Sequence, residues 1–101
     1  MAELSTMARP YARAAFEYAR DNKSLSEWSE QLAIAAAVAT DEAMDAVLTS
    51  PSLTTEQQAA ALCDVCGDAL GDGMKNFVSI LASNKRLALL PEISSLFGQY
   101  K

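Results

Sequence analysis

The stretch Ala8-Arg9-Pro10-Tyr11-Ala12-Arg13-Ala14-Ala15-Phe16-Glu17-Tyr18-Ala19 constrains the fold more than any other part of this chain. At about 100° per residue, Ala8, Ala12, Ala15, Phe16 and Ala19 form one contiguous helical stripe. Tyr11, Ala14 and Tyr18 continue the stripe round one side, which widens the apolar arc to about 200°. A helix that docks on one core needs an arc only a little over about 100°. The polar remainder, Arg9, Arg13, Glu17 and Arg20, fits on what is left. Two readings follow. Either the helix packs inward on one flank and offers small and aromatic side chains to another surface, or its own domain covers both flanks.

The rest of the chain is built from the same material. Half of the 101 residues are hydrophobic, and much of that half is Ala, the strongest helix former. The β-branched and aromatic residues that favour strands are sparse. The length suits one domain with a single small core. An all-α fold follows: a six-helix bundle of short helices joined by short turns, without repeats or low-complexity linkers.

Charge narrows the class of partner. The formal net charge is −5, against the basic face a nucleic-acid binder needs to displace counterions. The charge is also segregated. From Ser24 to Met74 there is no Lys or Arg, but nine carboxylates lie between Glu27 and Asp72. That mid-section repels phosphate and anionic lipid alike. The longest apolar run, Leu32 to Ala39, is far too short to cross a bilayer. The N-terminus lacks the charged and apolar regions of a signal peptide. These features predict a cytosolic chain, peripheral to a membrane only through a protein partner.

Taken in order, the first helix runs from Ser5 or Thr6 to Arg20, with Pro10 just past the first turn, or begins regularly only at Pro10. Asp21-Asn22-Lys23 is a turn. Ser24 and Glu27 have capping-box spacing and open a second helix whose stripe is Leu25, Trp28, Leu32, Ala35, Ala36 and Ala39. Trp28 reads as a core anchor with a partly exposed edge. A short third helix, capped by Thr40 or Asp41, buries Met44, Val47 and Leu48 and stops before Ser50-Pro51. Thr54 and Gln57 form a second capping box, opening a helix through Leu62, Val65 and Cys66; Leu70 extends it if Gly67 does not end it. Gly71-Asp72-Gly73 reads as a loop, and a fifth helix starts near Met74 with Met74, Phe77, Val78 and Leu81 facing inward. Ile80 falls about 60° outside that stripe, beside Asn76 and Ser83. Asn84 has the residue type for a left-handed helix end, with Lys85 and Arg86 complementing the negative terminus. The last helix carries Pro91 in its first turn and Leu90, Ile93, Leu96, Phe97 and Tyr100 on its stripe. A core-type stripe that runs to the final residue predicts that Lys101 is an artificial end.

No catalytic constellation emerges. The chain has no His, so the commonest general base and the triads built on it are missing. Asp41 with Glu42 and Asp64 with Asp68 sit at helix starts or on polar faces, the solvated-surface pattern. Cys63 and Cys66 form a Cys-x-x-Cys, but near the end of a helical pattern, whereas a redox motif follows a strand at a helix N-terminus. A zinc site needs two more ligands. Buried structural thiols are the expectation, with a small redox protein as the rival. No enzyme, cofactor or metal is implied.

Several segments together resemble the delta subunit of F-type ATP synthases, called OSCP in mitochondria, most closely its bacterial form. They are Ala8-Arg9-Pro10-Tyr11-Ala12, then Ala14-Ala15-Phe16, Trp28, Val65-Cys66-Gly67, and Asn76-Phe77 leading into Leu81-Ala82-Ser83-Asn84-Lys85-Arg86-Leu87 and Leu90-Pro91-Glu92. Lys85 departs from the family, which often has Gly there; the departure affects only how the fifth helix ends.

The resemblance implies a non-catalytic stator component at the cytoplasmic face of the bacterial inner membrane, peripheral to it. It implies that residues 1–101 are the N-terminal six-helix domain, which binds the N-terminal helix of an alpha subunit through its first and fifth helices. The family's second domain, which contacts the stalk b subunits, would be missing. Tyr11, Ala14 and Tyr18 from the first helix and Asn76 and Ile80 from the fifth are the expected contacts, each with ordinary core packing as the alternative. Arg9 and Arg13 read as a solvated face or as partners for acidic residues of alpha. The isolated chain is expected to be a monomer. The competing class is a membrane-surface or generic helix-binding module.

Overall fold

A computed structural model of the chain describes residues 2–100, with side chains from Thr6 onward. The expectation for Lys101 therefore lies outside the described residues. Six helices follow in order: α1 (Ala2–Asp21), α2 (Leu25–Ala39), α3 (Glu42–Leu48), α4 (Thr55–Cys66), α5 (Asp72–Ser83) and α6 (Leu90–Tyr100). Short 3-10 turns at Gly67–Ala69 and Leu87–Leu89 precede α5 and α6, and no strand occurs among the described residues.

The C-terminal helix is the hub. It packs along α1 and α2, while α4 lies on α5 and α2 bridges the two halves. Ala8, Ala12, Ala15 and Ala19 are all buried, and side chains this small let α1 lie close to its neighbours. Phe97 is fully buried. Phe16 meets both Phe97 and Tyr100 edge-on, with ring centroids 5.9 Å apart in each pair.

Several local details correct the sequence reading. Helix α1 begins at Ala2, before Thr6 and Pro10, and runs through Pro10. The proline ring is exposed, and the buried alanines hold the helix on both sides of it. Ser24 makes no side-chain cap on α2. Lys23 adopts a left-handed φ of 55°, so the chain folds back and Ser24 closes α1 instead. Its N–H donates to the Ala19 carbonyl at 2.8 Å, and its hydroxyl donates to the same carbonyl at 3.4 Å. The other predicted caps form. The Asp41 carboxylate accepts from the Ala43 and Met44 N–H groups. Thr54 and Gln57 make the reciprocal capping box, at 3.1 and 2.9 Å.

At the end of α5 the left-handed residue is Lys85, with φ 58°, and not Asn84, whose φ is −92°. The Arg86 N–H then reaches back to the Leu81 carbonyl at 2.7 Å, a bond that requires the positive φ one residue earlier. A Cβ in this region costs energy that glycine avoids. Lys85→Gly is therefore expected to stabilise the chain by about 0.5–1 kcal/mol, read as a higher urea midpoint with an unchanged slope.

Helix α5 also starts earlier than expected, with Gly71 as its N-cap and Gly73 inside the first turn. The Gly71 N–H donates to Gln31 Oε1 at 3.0 Å, which ties the start of α5 to α2. Gly67, with φ 60°, ends α4; Leu70 is nonetheless buried, carried inward by the 3-10 turn. Val65 departs most from expectation. The buried line of α4 runs through Gln58, Ala59 and Leu62, and Val65 sits about 60° off Leu62, leaving it 62% exposed. Gln58 is the one polar side chain buried among the described residues. Its Nε2 donates to the carbonyls of Val47 and Ser50, at 3.2 Å each, and so fastens the end of α3 to α4.

Candidate functional site

The apolar excess of α1 is only partly used by the core. Ala12, Ala15 and Ala19 are buried and Phe16 is half-buried, whereas Ala14 is exposed and Tyr18 is 51% exposed. Across from them on α5, Phe77 and Val78 are buried but Asn76 is exposed and Ile80 is 47% exposed. These two flanks face each other. Ala14, Tyr18, Asn76 and Ile80 line one groove of about 200 Å³, with Trp28 and Phe77 among the side chains beneath.

An aromatic row underlies the groove. Tyr18 lies 5.2 Å from Trp28 between ring centroids, and Trp28 lies 5.7 Å from Phe77. Gly73 supports this row from α5. A Cβ there would stand 3.4 Å from Trp28 Cζ2 and 3.6 Å from the Tyr18 hydroxyl, so the α5 backbone lies directly against both rings. Trp28 itself is buried, with an edge on the groove.

Four of the five sequence-predicted contacts are thus brought together. Tyr11 is not among the groove-lining residues; it is half-buried and packed against the core, further towards the start of α1. Ala15, Trp28, Gly73 and Phe77 are groove residues that the sequence reading does not assign to the site. By pattern Phe77 belongs to the core stripe and Gly73 to a loop, and no helical pattern marks a glycine as a contact.

The chemistry of the groove is that of a docking surface. None of its lining residues is charged. Its volume is below the about 300–1,000 Å³ of small-molecule sites, but enough for apolar side chains inserted from a partner. A larger hollow of about 870 Å³ lies on the polar edge of α1, by Arg9, Arg13, Glu17 and Arg20. The Arg20 guanidinium pairs there with Asp21 at 3.4 Å and lies over the Phe16 ring. Among the described residues, no group of three or more His, Cys, Asp and Glu side chains is placed to hold a metal. Likewise, no helix is long and apolar enough to cross a membrane.

Cys63 and Cys66 are unpaired and half-buried, less enclosed than the buried thiols expected. Burial pushes both thiols above the usual range. For Cys63, Lys75 pulls the other way and Asp64 adds to the rise; for Cys66, Cys63 adds to it. Less thiolate at neutral pH means slower reaction. Iodoacetamide is expected to modify both more slowly in the folded chain than in the chain unfolded in urea, as followed by mass spectrometry. The linkage has a definite sign: the thiols ionise at lower pH in the unfolded chain than in the folded one, so this contribution to stability is lost as the solution becomes alkaline.

The fold and the groove define a small all-α domain with an uncharged, partly aromatic cleft between two of its helices. The family described as ATP synthase delta (OSCP) subunit matches residues 7–101, and the chain belongs to that family. It is 54% identical to ATP synthase subunit delta of Teredinibacter turnerae and 55% identical to that of Hahella chejuensis, in each case over all 101 residues. The chain spans 57% of the length of each of these relatives.

Proposed function

We propose that this chain is the N-terminal, head-binding domain of an ATP synthase delta subunit, and that the α1–α5 groove takes the N-terminal helix of an alpha subunit. The observation that carries the reading is the groove itself. Tyr18 and Ile80, two of the large apolar side chains left exposed, stand on one cleft. An amphipathic helix laid in such a cleft buries anchors at i, i+3, i+4 and i+7. Ala14 allows close approach, Tyr18 supplies contact area with a polar tip, Ile80 is the apolar anchor and Asn76 offers hydrogen bonds at the rim.

The role is mechanical and non-catalytic. A stator holds the catalytic head against the torque of the rotor, so the contact must be tight although no bond is made or broken. The 57% share of the relatives' length supports a delta subunit of two parts, the other part carrying the contacts to the stalk b subunits. The subunit would then be peripheral, at the cytoplasmic face of the membrane, as part of the complex that couples proton flow to ATP synthesis.

Titration with a peptide covering the alpha N-terminal helix tests this, with Trp28 fluorescence as the readout because its ring edge lies on the groove. Saturable binding at micromolar concentration or tighter is expected, and Cys63→Ala with Cys66→Ala should leave it unchanged. No binding in that range, or strong flotation with anionic vesicles in the absence of the peptide, would overturn the reading.

A further inference from the structure

A second apolar groove lies away from α1 and α5. It is formed where the end of α2, α3 and the last turn of α4 meet, with a volume of about 520 Å³. Val38, Met44, Val47 and Val65 supply its apolar lining, and Asp41 stands in its wall. Ile34 is exposed as well. It precedes Ala37 and Val38 by three and four residues, so it continues the α2 wall by one turn. Among the described residues Val65 is the most exposed of the large apolar side chains, and no stripe of its own helix requires it.

The rim decides the occupant. The three helices that form the groove, with the loops between them, carry no Lys or Arg, and all their charges are carboxylates. Asp64 adjoins Val65, and Asp68 follows it by three residues; both are exposed, as is Asp41. Asp41 is the charged residue of the lining itself; a second copy docked through this same face would set these carboxylates against their own kind, and an anionic membrane or a nucleic acid is repelled in the same way. We propose that this groove binds a basic amphipathic helix of a partner protein, with apolar anchors on Val38, Met44, Val47 and Val65 and Lys or Arg side chains over Asp41, Asp64 and Asp68. Its charge requirement separates it from the uncharged α1–α5 groove, and it does not depend on what that groove binds.

The probe is a synthetic helix of about 18 residues with Leu at i, i+3, i+4 and i+7 and Lys elsewhere; a Leu/Glu peptide of the same pattern is the control. Amide shifts of the isotope-labelled chain should map to α2, α3 and α4, and raising NaCl from 0.05 to 0.5 M should weaken binding. Val65→Lys, on an exposed site that folding does not need, should weaken it at least tenfold. Asp64→Asn with Asp68→Asn should lower both affinity and salt dependence, and Ile80→Asp should change neither. The proposal is overturned if the Leu/Glu peptide binds as tightly, if Val65→Lys has no effect, or if the shifts fall on α1 and α5. It is equally overturned by no binding at 100 μM, or by concentration-dependent self-association of the chain through this face.

Discussion

Ile80→Asp is expected to weaken binding of the alpha N-terminal helix by at least 2 kcal/mol, about thirtyfold in Kd, without unfolding the domain. Both halves of this result follow from where Ile80 stands. In the free chain its side chain is 47% exposed, so a carboxylate there stays in water, and exposed substitutions of this kind change stability by about 0.5 kcal/mol or less. In the proposed complex the apolar face of the partner helix would cover the same position, and none of the residues lining the groove carries a charge to pair with the carboxylate. The penalty therefore appears only on binding. Circular dichroism and the urea midpoint check the fold, and calorimetry with the peptide checks the affinity. An unfolded variant would place Ile80 in the core, and a variant that binds normally would place the contact elsewhere.

Phe97→Ala is expected to have the largest effect on stability, about 3–5 kcal/mol. Phe97 has no exposed surface, lies on the helix that contacts both α1 and α2, and meets Phe16 edge-on. Truncation removes the ring's burial and leaves a cavity that three rigid helices cannot close. Against a typical total of about 5–15 kcal/mol, the loss leaves the chain marginal and lowers the urea midpoint steeply. Phe97→Leu keeps most of the volume and is expected to cost less than half as much. Denaturation followed in parallel by circular dichroism and Trp28 emission distinguishes a destabilised fold from a locally loosened one.

Residues whose role is set by periodicity alone were legible in the sequence. The stripe Met74-Phe77-Val78-Leu81 is buried throughout; Ala8, Ala12, Ala15 and Ala19 are buried with Phe16 half-buried, and Trp28, Leu32, Ala35, Ala36 and Ala39 are buried with Leu25 half-buried. Ile80 and Tyr18, which fell off their stripes, are exposed and meet in one groove. What stayed hidden depends on the path of the chain between helices. Ser24 has the residue type of an N-cap, but the left-handed turn at Lys23 commits it to the end of α1. Lys85 takes the positive φ because the chain must turn there to reach the next 3-10 turn, whichever residue is present. Gln58 looks polar and is buried, since its amide satisfies two carbonyls contributed by the neighbouring α3 segment. Gly73 reads as a loop residue by composition, yet it lies within a helix against two aromatic rings, a contact set entirely by tertiary packing.

Amide shift mapping of the isotope-labelled chain, titrated with the alpha N-terminal peptide, tests the central claim most directly. The expected result is a footprint on Ala14, Ala15, Tyr18, Gly73, Asn76 and Ile80, which line the α1–α5 groove together with Trp28 and Phe77. A footprint confined to the acidic groove around Val65, or one along the Arg9–Arg13 edge of α1, would contradict it.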